Sequence, residues 1–199
     1  PEVLQLVDLT NLLWQKTLQK LATNCDAVCF GTLGQRSEIS GSTIQKFVRE
    51  TPENALRIFD VNLRSPFYND EVIMQSLTLA NVLKLNDDEL PALARLCSIE
   101  GSPIDIMRQL ARRFSLRCIA LTRGADGAIL MRGDEVSDLH GIEVTVVDTV
   151  GAGDAFTAAI TVGLLKGQNI DQINGNAIAV ASYVCSRPGA TMSFPASLL

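Results

Sequence analysis

Strand-length and helix-length segments alternate along 199 residues, which predicts an α/β fold: a mostly parallel, doubly wound sheet with helices on both faces. Three observations carry that expectation. Short apolar, β-branched runs recur between amphipathic stretches. The chain is 47% hydrophobic, enough for strands buried on both faces. Internal repeats, low-complexity segments and a convincing linker are all missing, so residues 1–199 read as a single domain.

The elements follow in order. Residues 9–22 read as an amphipathic helix, with Leu13, Leu18 and Leu21 on or near one face. Residues 27–30 form a short buried strand ending at Gly31. Residues 42–50 form a helix, and 55–61 (ALRIFDV) a strand after the turn at Pro52-Glu53-Asn54. A helix over 71–79 leads to a strand over 81–85 (NVLKL). Helices over 87–96 and 103–114 flank a break at Gly101-Ser102. Residues 118–122 form a strand, and 128–132 another beyond the turn at Ala125-Asp126-Gly127. The region 126–138 reads as a local antiparallel ribbon. Residues 142–147 (IEVTVV) read as a strand, and 155–166 as a helix with Gly167 as its C-cap. A last helix over 170–185 stops at Pro188-Gly189.

Composition narrows the function classes. A formal net charge of −5 argues against a nucleic-acid surface. Five cysteines without a C-x-x-C pair, most of them in apolar segments, read as buried free thiols in a reducing cytoplasm. The single His140 excludes a multi-histidine metal site and reads as a surface loop residue. No apolar stretch reaches membrane-spanning length, and no signal peptide is expected.

The chemistry concentrates at Asp148-Thr149-Val150-Gly151-Ala152-Gly153-Asp154, between the strand over 142–147 and the helix over 155–166. The glycines let backbone N–H groups converge without an intervening side chain, and the first helical turn adds unpaired donors and the positive end of the dipole. A carboxylate at an anion site is repelled by the anion unless it takes a proton from a group attacking that anion. Asp154 therefore suits phosphoryl transfer to a hydroxyl. A structural turn with Asp154 as a dipole partner remains the alternative. Polar sets also follow three other strands: Asp60, Asn62 and Arg64; Asn86, Asp87 and Glu89; and Thr122, Arg123 and Gly124. In a doubly wound sheet such strand ends share one ligand-binding edge.

These residues resemble the motifs of the ribokinase-like (PfkB) carbohydrate kinases, in the family's order. VVDTVGAGDAF resembles the DTxGAGD signature, Asn86-Asp87-Asp88-Glu89 the N-x-x-E motif, and Thr122-Arg123-Gly124-Ala125-Asp126-Gly127 the T-x-G-x-x-G turn. Gly189-Ala190 with Ser193 and Pro195 resembles the closing segment. Asp60-Val61-Asn62-Leu63-Arg64 resembles the D-x-N-x-R of fructokinase-type members, and Phe30-Gly31-Thr32-Leu33 their upstream strand end.

The resemblance implies ATP-dependent phosphorylation of a sugar hydroxyl, on fructose or a related sugar. Asp154 would be the general base, and Gly151, Ala152 and Gly153 an anion hole. Glu89, with Asn86, would hold Mg²⁺ or its water shell. Thr122, Gly124 and Gly127 would line the nucleotide site, with Asn176 facing the adenine. Asp148 and Ser193, with carbonyls of Val150, Val184, Arg187 and Gly189, would ligate a monovalent cation such as K⁺, although Asp148 could equally cap its turn. Arg64 would approach the substrate. The implied partners are ATP and a small sugar, with no nucleic acid or membrane and a homodimer as one option.

The family's N-terminal segment carries a G-G substrate motif, an Asp that grips sugar hydroxyls and a β-lid, none of which is among these residues. The chain is thus expected to match the C-terminal two-thirds of a fructokinase-type member, and by itself need not be active. A nucleoside kinase of the same superfamily and a non-catalytic binding or regulatory protein are the alternative functions.

Overall fold

The computed structural model describes residues 12–64, 68–189 and 192–195. The chain divides into two compact units, one built on the residues up to Leu83 with 114–116, the other on 84–113 and the residues from Arg117 onward.

The first unit contains α1 (Lys16–Ala22), β1 (Ala27–Gly31), α2 (Glu38–Arg49), β2 (Leu56–Asp60), α3 (Asp70–Leu79) and the start of β3 (Val82–Asn86). Helix α1 is shorter than the sequence suggests. Residues 9–11 lie outside the described residues, Gln15 is extended, and Leu12 N–H donates to Ser40 Oγ at 2.9 Å. Leu13 and Leu21 are more than half exposed, so their spacing does not mark a core face. Helix α2 instead starts four residues early, because Ser37 Oγ accepts from Ser40 N–H as an N-cap. Strands β1 and β2 pair in parallel from Ala27↔Leu56 to Gly31↔Asp60, and Phe30 stacks on the fully buried Phe59. Asn81 closes the far end: its Nδ2 donates to Ala55 C=O and its Oδ1 accepts from Arg57 N–H, both at 2.8 Å.

The second unit holds the rest of β3, α4 (Glu89–Cys97), nearly all of α5 (Pro103–Phe114), β4 (Cys118–Thr122), β5 (Ala128–Arg132), β6 (Glu135–Leu139), α6 (Ala152–Leu165) and α7 (Ile170–Cys185). Strands β4, β5 and β6 form an antiparallel meander, with Thr122↔Ala128 and Arg132↔Glu135 at its turns. The six strands follow the order β1-β2-β3-β4-β5-β6 in a mixed sheet.

The expected strand over 142–147 is not formed. The ladder ends at Leu139, opposite Ala128, and the chain then crosses the 124–127 turn at a backbone-to-backbone distance that excludes side chains. Ile142, Val146 and Val147 are more than half exposed, and the segment is retied only where Val147 and Asp148 N–H both donate to Cys185 C=O.

Helices α6 and α7 pack on each other at Gly163, where a Cβ would lie 2.8 Å from Ile173. Helix α6 ends in a Schellman motif: Gly167 (φ +64°) donates to Leu164 C=O and Gln168 to Gly163 C=O, each at 3.1 Å. Asn174, fully buried on α7, donates through Nδ2 to Ala128 C=O and Ser137 C=O, binding the helix to β5 and β6. All five cysteines are free, but only Cys97 and Cys118 are buried; Cys29 is exposed. Burial pushes the Cys118 thiol up to about 12, which makes it unreactive. Among the described residues no helix is long and apolar enough to cross a membrane.

Candidate active site

The strand ends of the second unit open onto a cleft of about 940 Å³. Lys84, Asn86 and Asp87 reach it from the end of β3, and Thr122, Gly124 and Gly127 from the turn beyond β4. The non-ladder segment from Gly141 to Val146 forms one wall; Thr149, Ala152, Gly153 and Phe156 come from α6 and its approach, and Ile178, Ala181, Ser182 and Cys185 from α7. Residues from three of the sequence motifs thus line one cavity. Its polar groups sit at the strand ends, and its apolar wall is the run that the sequence presented as a strand.

The turn before α6 is built from two unlike glycines. Gly151 is the N-cap in the left-handed region (φ +83°), where any residue with a Cβ is disfavoured by about 1–2 kcal/mol. Gly153 is ordinary helix. Ala152 N–H meets Thr149 C=O at 3.3 Å, while the first-turn N–H groups of Gly153 and Asp154 meet no protein acceptor among the described residues. Two donors and the positive end of a 14-residue helix therefore face outward.

Asp148 fastens this turn. Its Oδ1 accepts from Val150 N–H at 3.0 Å and its Oδ2 from Gly189 N–H at 3.1 Å, bridging the turn to the loop beyond α7. The Val150 N–H, followed by that of Gly189, holds the carboxyl below the usual carboxylate range. Because the folded pKa is depressed, the clamp stabilises the fold above the unfolded Asp value of about 3.9 and is lost as pH falls through the lower folded value. Amide exchange at Val150 and Gly189 should therefore stay slow at pH 5 and accelerate only below about pH 4, measured by pH-stepped hydrogen exchange.

A second cavity of about 340 Å³ lies along α6 and α7, lined by Gly151, Asp154, Ala155, Ala158, Asn176 and Val180 among others. Asp154 is exposed there. The start of α6 is thus flanked by two cavities, with Thr149, Ala152 and Gly153 lining one and Gly151 and Asp154 the other. Asn176 falls with Asp154 and not in the large cleft where the adenine was expected. The reason is helical phase: Ile178, Ala181, Ser182 and Cys185 repeat at i, i+3, i+4 and i+7 on the cleft side, and position 176 falls on another face.

Asn86 and Glu89 form a reciprocal cap. Asn86 N–H donates to Glu89 Oε2 at 2.8 Å and Glu89 N–H to Asn86 Oδ1 at 2.9 Å. Glu89 is 5% exposed and does not line the cleft, whereas Asp87 does. Glu89→Ala should lower stability by about 1 kcal/mol through loss of this cap, readable by denaturant titration. The residues expected around a monovalent cation are also engaged: both Asp148 oxygens accept N–H groups, Val184 C=O accepts from Arg187 N–H, and Ser193 C=O receives the Tyr183 hydroxyl. Ala190 lies outside the described residues. Arg64 belongs to the first unit, where its Nε donates to Asn62 Oδ1 at 3.1 Å. Among the described residues no three His, Cys, Asp or Glu side chains form a metal cluster.

One site residue was missed in the sequence. Lys84, 7% exposed within the otherwise apolar β3, brings its Nζ to 3.2 Å from where a Cβ on Gly153 would stand. The signal was present as a lysine inside NVLKL, but a strand position alone does not say what its side chain reaches.

Comparison with known proteins places this geometry. The profile of the pfkB family carbohydrate kinases matches residues 8–197. Aminoimidazole riboside kinase of Salmonella typhimurium is 31% identical over 149 residues, covering 69% of this chain and 45% of the relative. Fructokinase of Escherichia coli is 33% identical over 111 residues, covering 53% and 35%. The crystal structure of an uncharacterized sugar kinase from Pyrococcus horikoshii in complex with ATP superposes with a TM-score of 0.71 at 28% identity, over 86% of this chain and 55% of that one. The chain spans less than half the length of these curated relatives. With residues of three motifs on one cleft and a family match over nearly every residue, the chain belongs to the pfkB family of carbohydrate kinases.

Proposed function

We propose that this chain carries the nucleotide-binding and phosphoryl-transfer part of an ATP-dependent kinase acting on a sugar hydroxyl, with fructose or a related sugar as acceptor. The observation that carries the reading is the start of α6, flanked by a large cleft on one side and by the cavity holding the Asp154 carboxylate on the other. The larger cleft falls in the size range of small-molecule and cofactor sites. ATP lies there, among Asn86, Thr122, Gly124 and Gly127, with its terminal phosphates at the N–H groups of the 151–153 turn.

Asp154 removes the proton from the acceptor hydroxyl as its oxygen attacks the γ-phosphorus. The new O–P bond forms, the bond to the β-bridging oxygen breaks, and ADP leaves. The N–H groups of the turn stabilise charge that develops on the transferred group. Hard oxygen donors at the end of β3 fit a dication, but the Asn86–Glu89 cap leaves Glu89 tied to backbone. With that cap in place, Glu89 and Asn86 would hold Mg²⁺ through its water shell, where the ion would neutralise phosphate charge. The Asp148 turn and Ser193 loop are the place for K⁺. The enzyme works in a reducing cytoplasm.

A riboside acceptor is the second reading, favoured by the 31% identity to aminoimidazole riboside kinase. ADP release from the full-length protein, with a panel of ketoses, aldoses and ribosides, separates the two. Transfer to fructose is the expected outcome; transfer to ribosides alone would replace the acceptor. If no acceptor yields ADP while ATP still binds, a non-catalytic binding protein is favoured.

A further inference from the structure

We propose that Arg123 is a positioning residue for the nucleotide: its guanidinium locks together two rims of the large cleft that lie outside the ladder, the 124–127 turn and the wall that begins at Gly141. The inference rests on the nucleotide reading of that cleft. Arg123 does not itself line the cavity and acts through the segments that do.

Arg123 follows β4 directly and is tied to the turn by main chain and side chain alike. Its N–H donates to Gly127 C=O at 2.8 Å, and its C=O accepts from Asp126 N–H at 3.0 Å. Its Nη2 donates to Asp126 C=O at 3.2 Å and also to the Asp138 carboxylate on β6. One nitrogen therefore joins the turn to the strand that leads into Gly141. There the two rims meet backbone to backbone, since a Cβ on Gly141 would stand 2.3 Å from Ala125 C=O. Gly124, Ala125 and Gly127 line the cleft on one side of this contact, and Gly141 to Val146 on the other.

Stability alone explains this arrangement poorly. The Asp138 side chain is half exposed, and an ion pair with an exposed partner adds little to stability. Arg123 nevertheless keeps only 24% of its side chain exposed, and its buried Nε meets no acceptor among the described residues. A buried donor without an acceptor is destabilising. What the arrangement secures is position. Gly124 and Gly127 both have positive φ, and glycine loses more freedom on ordering than any other residue. A turn already held in place spares the ligand the cost of ordering it.

Calorimetric titration of the full-length protein with ATP, ADP and AMP tests the role. Arg123→Met should weaken all three by a similar factor, about three- to tenfold, because binding must then order the loosened turn. The equal loss separates Arg123 from any group that touches the phosphates. In initial rates of ADP release the KM for ATP should rise by that factor while kcat stays within about twofold, since Asp154 and the start of α6 are untouched. Arg123→Lys should recover most of the affinity, because an ammonium can donate to both oxygens that Nη2 serves. Asp138→Ala, at a half-exposed position, should weaken the three nucleotides in the same proportion and keeps the test open if Arg123→Met fails to fold. Unchanged nucleotide affinity in either folded variant, a loss confined to ATP, no recovery with lysine, or a fall in kcat at unchanged KM would overturn the role of Arg123. A wild-type protein that binds none of the three nucleotides would overturn the nucleotide reading itself, a result distinct from the others.

Discussion

Asp154→Asn should slow phosphoryl transfer by about 10²- to 10⁴-fold while ATP affinity stays at or slightly above the wild-type value. The carboxamide keeps the shape of the side chain and removes its ability to take a proton. Asp154 lines the smaller cavity and is absent from the wall of the larger cleft, where ATP is proposed to bind, so the change leaves that wall in place. It also removes a negative charge near the phosphates, which sets the sign of any change in affinity. Asp154 is exposed, so the melting temperature should hold. Initial rates of ADP release give the transfer rate, and ATP titration of the same sample gives the affinity. Transfer near the wild-type rate would remove Asp154 from the role of base.

Gly127→Ala should have the largest effect on stability, a loss of about 3–5 kcal/mol and a melting temperature lower by on the order of 10 °C. Gly127 has φ +87° and ψ −137°, a conformation that is strained with a side chain. A Cβ there would stand 2.1 Å from Leu139 C=O and 2.5 Å from Gly141 N. Both are backbone atoms, which cannot swing aside as a side chain can. Gly124, in the same turn at φ +55°, has no atom within 4 Å of a built Cβ. Gly124→Ala should thus cost only the left-handed conformation, about 1–2 kcal/mol. Thermal denaturation of the two variants side by side checks the contrast. Equal losses would mean that backbone conformation, not the close crossing, sets the cost at Gly127.

Much of the fold was legible because its signals are local. Helices α5 and α7 and strands β4 and β5 lie where periodicity, Pro103 and the Ala125-Asp126-Gly127 turn place them. The failures were non-local. Residues 142–147 have strand composition, but their apolar character serves a cleft wall instead of a ladder, and only the Gly127–Gly141 crossing reveals it. Leu13 and Leu21 have helical spacing with nothing to bury against among the described residues. The glycine turn at 148–154 that opens α6 was readable from the sequence alone. The partner of Gly153 was not, since Lys84 is 69 positions earlier and only the fold brings the two together. Likewise, N-x-x-E spacing announces a polar pair, but whether it faces a ligand or caps α4 depends on side-chain geometry.

The wall from Gly141 to Val146 has an evolutionary consequence. Its side chains shape one side of the cleft, yet its backbone belongs to no ladder, and Ile142 and Val146 bury little. Substitutions there alter what the pocket accepts at little expense to the fold. Its two moorings, Gly141 on the 124–127 turn and Val147 on Cys185 C=O, are fixed through backbone atoms and tolerate drift in the side chains between them. Ligand preference can therefore diverge along this wall while the scaffold around it stays the same.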